Sequence, residues 1–249
     1  MAVPKTVTRV VTLSPNLTEM LFTIGAGDKI IGTDDFSNFP ASAAKLPKVG
    51  GMQPNVEKIA SLRPDLVIAS TEGNHPNLAP ALNAAGIPLF VVRTDRLEQV
   101  PRAMVRLGQL VNVDAARAAR ELSMRLGKEK RTRATPPKVL FAVWTDPLYV
   151  AGRETFTDDL LQLTGAQNAV QVAGWPQYSL ESLVASPPDL ILYPRSSVTR
   201  AQIDALRARV PSVHAEIVDV DDDIFQRPGP RMVDAARALN AILDARAAR

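Results

Sequence analysis

The chain of 249 residues contains no cysteine, which excludes disulfide bonds, thiolate metal sites and cysteine nucleophiles. Its two histidines, His75 and His214, lie far apart in the sequence, and neither has a metal-ligand spacing. No apolar run reaches the roughly 18 residues that a bilayer-spanning helix needs. No signal peptide precedes the first predicted strand, so an exported protein would have lost its leader. G-x-S-x-G, Walker and G-x-G-x-x-G motifs are also missing, which argues against the enzyme classes that carry them.

The composition is that of a globular protein with a substantial core, since 46% of the residues are apolar and 22% are charged. The net charge is +3, and the basic residues are spread out apart from one run at residues 128–133. We interpret this run as the end of a solvated helix, where cations are favoured by the helix dipole, and expect no nucleic-acid binding.

Strand and helix patterns alternate along the chain, which predicts an α/β fold. Predicted strands lie at residues 9–13, 29–32, 66–69, 89–92, 138–143, 190–193 and 217–220. Predicted helices lie near residues 17–24, 97–133 (with a break at 111–113), 157–163, 180–185, 200–208 and 230–245. The strands at 66–69 and 89–92 are continuous apolar runs, which suit parallel sheets covered on both faces.

An internal repeat is the most informative feature, because residues 57–68 match residues 181–192 at a constant offset. The two segments have identical residues at equivalent Glu, Pro, Asp and Leu positions. The repeat predicts two similar Rossmann-like lobes, at residues 1–112 and 136–249, joined by a helix within residues 113–135. Ligands of open α/β sheets bind outside the carboxyl ends of the strands, so we expect a ligand cleft between the lobes.

Several aromatic residues fall in predicted loops after strands, although aromatics are only 5% of the chain. They are Phe36, Phe39, Trp144, Tyr149, Trp175 and Phe225. Each alone is as well explained by packing under a loop, but together they suit a broad, flat, apolar ligand. Asp223 and Arg227 would add directional hydrogen bonds. The acidic run at residues 221–223 lacks EF-hand spacing, so we interpret it as a polar loop and predict no metal site.

Residues 9–19, 64–68, 86–88 and 227–231 resemble the helical-backbone class of periplasmic binding proteins of ABC importers. Members of that class carry cobalamin, haem and iron-siderophores. The resemblance covers essentially the whole chain, and residues 174–177 and 223–227 are most similar to cobalamin-binding members. It implies a single long rigid helix between the two lobes, with little hinge motion.

The resemblance also implies a set of site residues. It implies the ligand-binding residues Phe36, Tyr149, Trp175, Asp223 and Arg227, to which we add Gly51 and Phe225 as candidates. Gly51 and Ser70 depart from the family pattern, because tryptophans are expected at both positions. The missing indole side chains would leave room for a different corrinoid or a different ligand. Glu57 and Glu181 resemble the surface glutamates that dock onto the permease, although an acid in the first turn of a helix is also favoured by the dipole alone.

We therefore predict a periplasmic or cell-surface binding protein, not an enzyme and without a cofactor of its own. It would capture a corrinoid, cobalamin or cobinamide, as a monomer and deliver it to an ABC permease in the inner membrane. Haem or a ferric siderophore is the alternative ligand, and for a siderophore the candidate cations are Arg93, Arg195 and Arg227. His75 is a candidate axial ligand of cobalt or iron, although a solvated histidine in a loop is more common. The absence of tyrosine from the first lobe argues against haem bound through a tyrosinate of that lobe. A two-lobed enzyme is less favoured, because no paired acid and base or nucleotide loop is found.

Overall fold

The computed structural model describes residues 4–71 and 77–248. The strands are β1 (Val10–Thr12), β2 (Ile30–Thr33), β3 (Leu66–Ser70), β4 (Leu89–Val92), β5 (Lys138–Thr145), β6 (Leu148–Val150), β7 (Gln167–Asn168), β8 (Leu190–Pro194) and β9 (Glu216–Val220). The helices are α1 (Pro15–Thr23), α2 (Val56–Ser61), α3 (Leu78–Ala84), α4 (Gln99–Leu110), α5 (Ala116–Lys128), α6 (Phe156–Leu163), α7 (Leu180–Ala185), α8 (Arg200–Arg209), α9 (Asp222–Phe225) and α10 (Met232–Ala247). Short 3-10 turns lie at Gly27–Lys29 and Ala43–Lys45. None of the helices in the described ranges is long and apolar enough to cross a membrane.

The chain divides into two compact units, Met1–Met124 and Arg125–Arg249. The sheet of the first unit has the strand order β2-β1-β3-β4, and each neighbouring pair is parallel. Val11 and Val67 are fully buried in this sheet and pack with Ile59 of α2 and Leu82 of α3. The continuous apolar runs therefore form a parallel sheet, as predicted.

The second unit repeats this topology. Its parallel strands follow the order β7-β5-β8-β9, which corresponds to β2-β1-β3-β4 of the first unit. The long strand β5 continues past the parallel sheet and pairs antiparallel with β6. The predicted α/β fold with two similar, mainly parallel units is confirmed. The β5–β6 hairpin has no counterpart among the described residues of the first unit.

The repeated Pro-Asp sequence has the same structural role in both units. The backbone N–H of Asp65 donates to the carbonyl of Arg9, and that of Asp189 donates to the carbonyl of Lys138, both at 2.8 Å. Each carboxylate in turn accepts the backbone N–H of the same partner, at 2.9 Å from Arg9 and 2.8 Å from Lys138. The two aspartates thus fix the register between the first and third principal strands of each sheet.

The helix predicted within residues 113–135 is shorter in the structure, because α5 ends at Lys128. Beyond it the backbone N–H of Arg131 donates to the carbonyl of Leu163 at 2.9 Å. The Arg133 guanidinium bonds the carbonyl of Thr164 at 3.0 Å and the carboxylate of Asp244 at 2.7 Å. These contacts within the second unit hold residues 131–133 outside the helix, before the prolines are reached. The rigidity of the connection stays a prediction.

Candidate functional site

The carboxyl ends of parallel strands share one edge of a sheet, which we call the carboxyl edge. In the sheet of the first unit, β2 lies on one side of β1, whereas β3 and β4 lie on the other side. The connections that follow β1 and β2 therefore run in opposite directions across the sheet. Such a reversal in strand order opens a crevice at the carboxyl edge, where ligands of α/β proteins bind. Phe36 follows β2 at this edge. His75 lies outside the described residues, so its candidate role as an axial ligand is not located.

A buried polar network holds the loop that carries Phe36. Asp34 is only 1% exposed; its carboxylate accepts the backbone N–H of Phe36 at 3.1 Å and the hydroxyl of Ser37. The Ser37 oxygen lies 2.8 Å from the hydroxyl of Thr18 in α1. Lys48 Nζ donates to the carbonyl of Ser37 at 2.5 Å, and burial lowers the pKa of Lys48 against the opposing effect of Asp34. The network fixes the backbone under Phe36, and sequence patterns gave no signal for it.

The ring of Phe36 projects from this loop and is 54% exposed. It lies against Gly51, because a Cβ atom built on Gly51 would be 3.0 Å from Cε2 of Phe36. Phe36 therefore occupies part of the space that the missing tryptophan at position 51 was expected to leave open. Ser70, the second departure from the family pattern, ends β3 and is almost completely buried.

In the second unit, Trp144 and Tyr149 lie on strands β5 and β6, and the prediction that they lie in loops is wrong. They face each other across the antiparallel β5–β6 pair, and they are 43% and 39% exposed. The indole Nε1 of Trp144 donates to the carbonyl of Asp146 at 3.0 Å, which fixes the ring.

Trp175 lies on the chain segment that runs beside β6. Tyr149 forms an isolated bridge with Gln177, and the N–H of Val150 donates to the carbonyl of Pro176 at 3.1 Å. The Trp175 side chain is 42% exposed. The structure therefore brings Trp144, Tyr149 and Trp175 onto three adjacent backbone segments of the second unit.

The segment after β9, which was predicted to be a loop, contains the short helix α9 and an ion pair. Asp223 forms an ion pair with Arg227 at 2.5 Å, and the carbonyl of Asp223 accepts a hydrogen bond from Arg231 at 3.1 Å. Asp221 caps α9 by accepting the N–H of Asp223 at 2.9 Å, while Asp222 accepts the N–H of Ser196, also at 2.9 Å. The acidic run therefore serves as a helix cap, a loop tether and half of an ion pair.

Phe225 corrects one prediction, because it is a core residue. Its side chain is 1% exposed, and its ring stacks on that of Phe141 with centroids 6.4 Å apart. A ring enclosed in this way has no face for a ligand, so we remove Phe225 from the candidate site.

The arginines considered as cations for an anionic siderophore are all paired with carboxylates. Arg93 lies 3.4 Å from Asp95, and Arg195 lies 3.0 Å from Asp219. Arg227 is paired as described above. An anionic ligand would have to compete with a carboxylate at each of them.

Glu57 and Glu181 occupy equivalent positions in the two units. Each is exposed in the first turn of a six-residue helix, α2 or α7. Asn55 and Ser179 cap these helices through their side chains. The N–H of Glu181 itself, followed by the Ser179 hydroxyl, holds the pKa of the Glu181 carboxyl below its ordinary value. Both acids are thus presented to solvent on matching short helices.

Curated proteins are similar in sequence to this chain over most of its length. The vitamin B12-binding protein of Yersinia pestis (strain Pestoides F) is 30% identical over 239 residues, which cover 93% of this chain and 84% of the relative. A family model described as periplasmic binding protein matches residues 10–238. The chain belongs to the periplasmic binding protein family. Its relatives and structural neighbours are binding proteins and not enzymes.

Solved structures of other periplasmic binding proteins have the same fold. The periplasmic haem-binding protein RhuT from Roseiflexus sp. RS-1 has a TM-score of 0.81 at 25% identity, over 94% of this chain and 97% of that one. A periplasmic haem-binding protein from Pseudomonas aeruginosa has a TM-score of 0.80 at 26% identity, over 95% and 92%. The vitamin B12-binding protein BtuF of Vibrio cholerae has a TM-score of 0.81 at 24% identity, over 97% and 98%. This periplasmic binding protein is therefore of the class that includes cobalamin and haem carriers.

Proposed function

We propose that this periplasmic binding protein captures a corrinoid, cobalamin or cobinamide, and delivers it to an ABC permease in the inner membrane. In this proposal the protein acts as an exported monomer, and both units contribute side chains to one ligand. Phe36 and Gly51 belong to the first unit, and Tyr149, Trp175, Asp223 and Arg227 belong to the second. The name of the curated relatives, vitamin B12-binding protein, supports a corrinoid as the ligand.

The observation that carries the choice of ligand is the ion pair between Asp223 and Arg227. Their side chains are 32% and 14% exposed, so both can still be reached. A corrin ring bears carboxamide side chains, and a carboxamide both donates and accepts hydrogen bonds. It can therefore donate to the aspartate and accept from the arginine without separating the pair. Haem bears two carboxylates, which would have to compete with Asp223 for Arg227.

Haem is the second candidate, favoured by the likeness to solved haem-binding proteins. A tyrosinate ligand would have to come from the second unit, which holds all three tyrosines. Burial raises the pKa of Tyr178, which disfavours its tyrosinate form. Tyr193 is only 5% exposed, so its side chain offers almost no surface to a ligand. Tyr149 is the exposed tyrosine of the proposed site, and its ligation of iron is an outcome that absorption spectra would reveal.

Titration with cyanocobalamin, cobinamide, haemin and a ferric siderophore tests the proposal. We expect a dissociation constant below about 1 µM for a corrinoid and weaker binding of the others, measured by calorimetry and absorption. Tight binding of haemin alone would replace the corrinoid by haem. Failure to bind any of the four would contradict the proposal as a whole.

Trp175→Ala tests the aromatic part of the proposed site. A buried aromatic anchor of a bound ligand contributes about 2 kcal/mol or more, so corrinoid affinity should fall about 30-fold. Val184→Ala, which removes an exposed apolar side chain from α7 of the same unit, is the control and should bind normally. An unchanged dissociation constant in Trp175→Ala would remove this residue from the site.

Delivery to the permease is tested by the double variant Glu57→Ala with Glu181→Ala. We propose that these two exposed acids dock onto cationic groups of the permease, because complementary charges orient an encounter between proteins. The variant should keep its ligand affinity but lose most uptake in vesicles that contain the permease. Glu121→Ala with Asp204→Ala, which removes one exposed acid from each unit, should transport normally. Normal uptake by the Glu57 and Glu181 variant would refute the docking role.

A further inference from the structure

The β5–β6 hairpin presents two aromatic rings from directly opposite positions. Trp144 of β5 pairs with Tyr149 of β6, and side chains of directly opposite residues lie on the same face of an antiparallel ribbon, with Cβ atoms about 5 Å apart. Both rings are exposed, 43% for Trp144 and 39% for Tyr149. The two side chains therefore project from the same face of the ribbon, which we call the hairpin face.

The indole of Trp144 is held in place. Its Nε1 donates to the carbonyl of Asp146 at 3.0 Å, in the turn between the two strands. This bond satisfies the polar atom of the ring and leaves the flat apolar faces without a polar group. A ring that is fixed before binding loses little conformational entropy when a ligand stacks on it. The hairpin face is therefore prearranged for a flat partner.

The tryptophan side chains are distributed unequally between the two units. Both tryptophans of the chain, Trp144 and Trp175, belong to the second unit. In the first unit, Gly51 and Ser70 stand where the resemblance predicts tryptophans, and Phe36 covers only part of that space. Both exposed tryptophan side chains of the described residues therefore belong to the second unit.

We infer that Trp144 is a specificity-determining residue whose indole stacks on the conjugated ring of the ligand, next to Tyr149. This inference rests on the proposed function, because it assumes that a flat macrocycle binds at the carboxyl edge of the second unit. Offset stacking of aromatic rings adds to the free energy gained from burial alone. Trp144 therefore selects for a flat π system, whereas Asp223 and Arg227 select for the polar groups at its rim.

Three substitutions of Trp144 separate stacking from bulk. Trp144→Ala should weaken binding of cyanocobalamin and of cobinamide at least tenfold, because both contain the conjugated corrin ring. Trp144→Phe keeps a stacking ring and should bind within about threefold of the unmodified protein. Trp144→Leu keeps apolar bulk without a π system and should resemble Trp144→Ala. Val172→Ala, which alters another exposed apolar residue of this unit, is the matched control and should bind normally.

Thermal unfolding of each variant, followed by circular dichroism, shows whether the hairpin is still folded. If the unmodified protein binds none of the ligands, the proposed function fails. If it binds a corrinoid and Trp144→Ala binds equally well, only the role of Trp144 fails. Equal affinities of the folded Leu and Phe variants would also overturn the inference, because stacking would then make no difference. A Leu variant that binds much more weakly than the Phe variant supports it.

Discussion

At the scale of single residues, Asp65 of the repeated Pro-Asp sequence stabilises the fold through hydrogen bonds to its carboxylate. One oxygen of its carboxylate accepts the backbone N–H of Thr8 at 2.8 Å, the Thr8 hydroxyl at 3.0 Å and the N–H of Arg9 at 2.9 Å. The Thr8 N–H is the main reason that the pKa of Asp65 is lowered, against an opposing effect of burial. Because the folded-state pKa lies below that of the unfolded chain, the carboxylate stabilises the fold above about pH 4. This contribution is lost as the pH falls through the folded-state pKa.

Asp65→Asn should therefore lower the free energy of unfolding at pH 7 by about 1 kcal/mol, a low value for bonds to a charged group because solvent partly screens this carboxylate. The difference from the unmodified protein should shrink as the pH approaches 3. Urea unfolding at several pH values measures both effects. Asp28→Asn, which removes a charge from an exposed position, is the control and should change little. A difference that grows in acid would contradict the assignment.

Whether an aromatic side chain faces inwards or outwards was the least predictable property of single residues. Phe225 and Trp144 both follow predicted strands in the sequence, and both were expected in loops. Phe225 is buried because Phe141 of β5, far away in the sequence, stacks on it. Trp144 is exposed because β5 extends beyond the parallel sheet as a hairpin. Both outcomes depend on partners that local sequence patterns do not specify, whereas the exposed ring of Phe36 was predicted from its position after β2.

At the scale of elements, apolar runs gave most strands to within one or two residues, because burial on both faces leaves a clear signal. The end of α5 was wrong by several residues, because competing partners such as the carbonyl of Leu163 are remote in sequence. The break between α4 and α5 was predicted and is confirmed. There Asn112 adopts a positive φ of 54°, and the N–H of Val113 donates to the carbonyl of Gly108 at 2.9 Å.

Two glycines in these neighbouring helices should respond oppositely to alanine. A Cβ atom on Gly108 would lie 2.5 Å from the carbonyl oxygen of Val113, so Gly108→Ala must push the turn away and should cost about 1–3 kcal/mol. A Cβ atom on Gly127, near the end of α5, meets nothing within 4 Å. Gly127→Ala should therefore stabilise the protein by about 0.5 kcal/mol through its better helix propensity. Denaturant unfolding measures both variants, and a stabilising Gly108→Ala would show that this turn is not tightly packed.

At the scale of the whole molecule, the internal repeat predicted the architecture because duplicated motifs fold to duplicated topology. Asp65 and Asp189, which are equivalent in the repeat, accept equivalent backbone hydrogen bonds, from Arg9 in the first unit and from Lys138 in the second. The repeat could not reveal where the two units differ. The β5–β6 hairpin has no counterpart in the part of the first unit that the structure describes, so the hairpin and the orientation of its aromatic side chains became visible only in the structure.

A ligand that contacts both units must stabilise both. Binding at 100 times the dissociation constant adds about 2.7 kcal/mol to the unfolding free energy, which should slow hydrogen exchange of globally protected amides about 100-fold. We expect this slowing in peptides from β1 and β3 as well as in peptides from β5 and β8, measured by mass spectrometry with cobinamide. Trp175→Ala at the same ligand concentration should lose protection in both units together. If cobinamide protects the second unit alone, the ligand is held by one unit and Phe36 has no part in its capture.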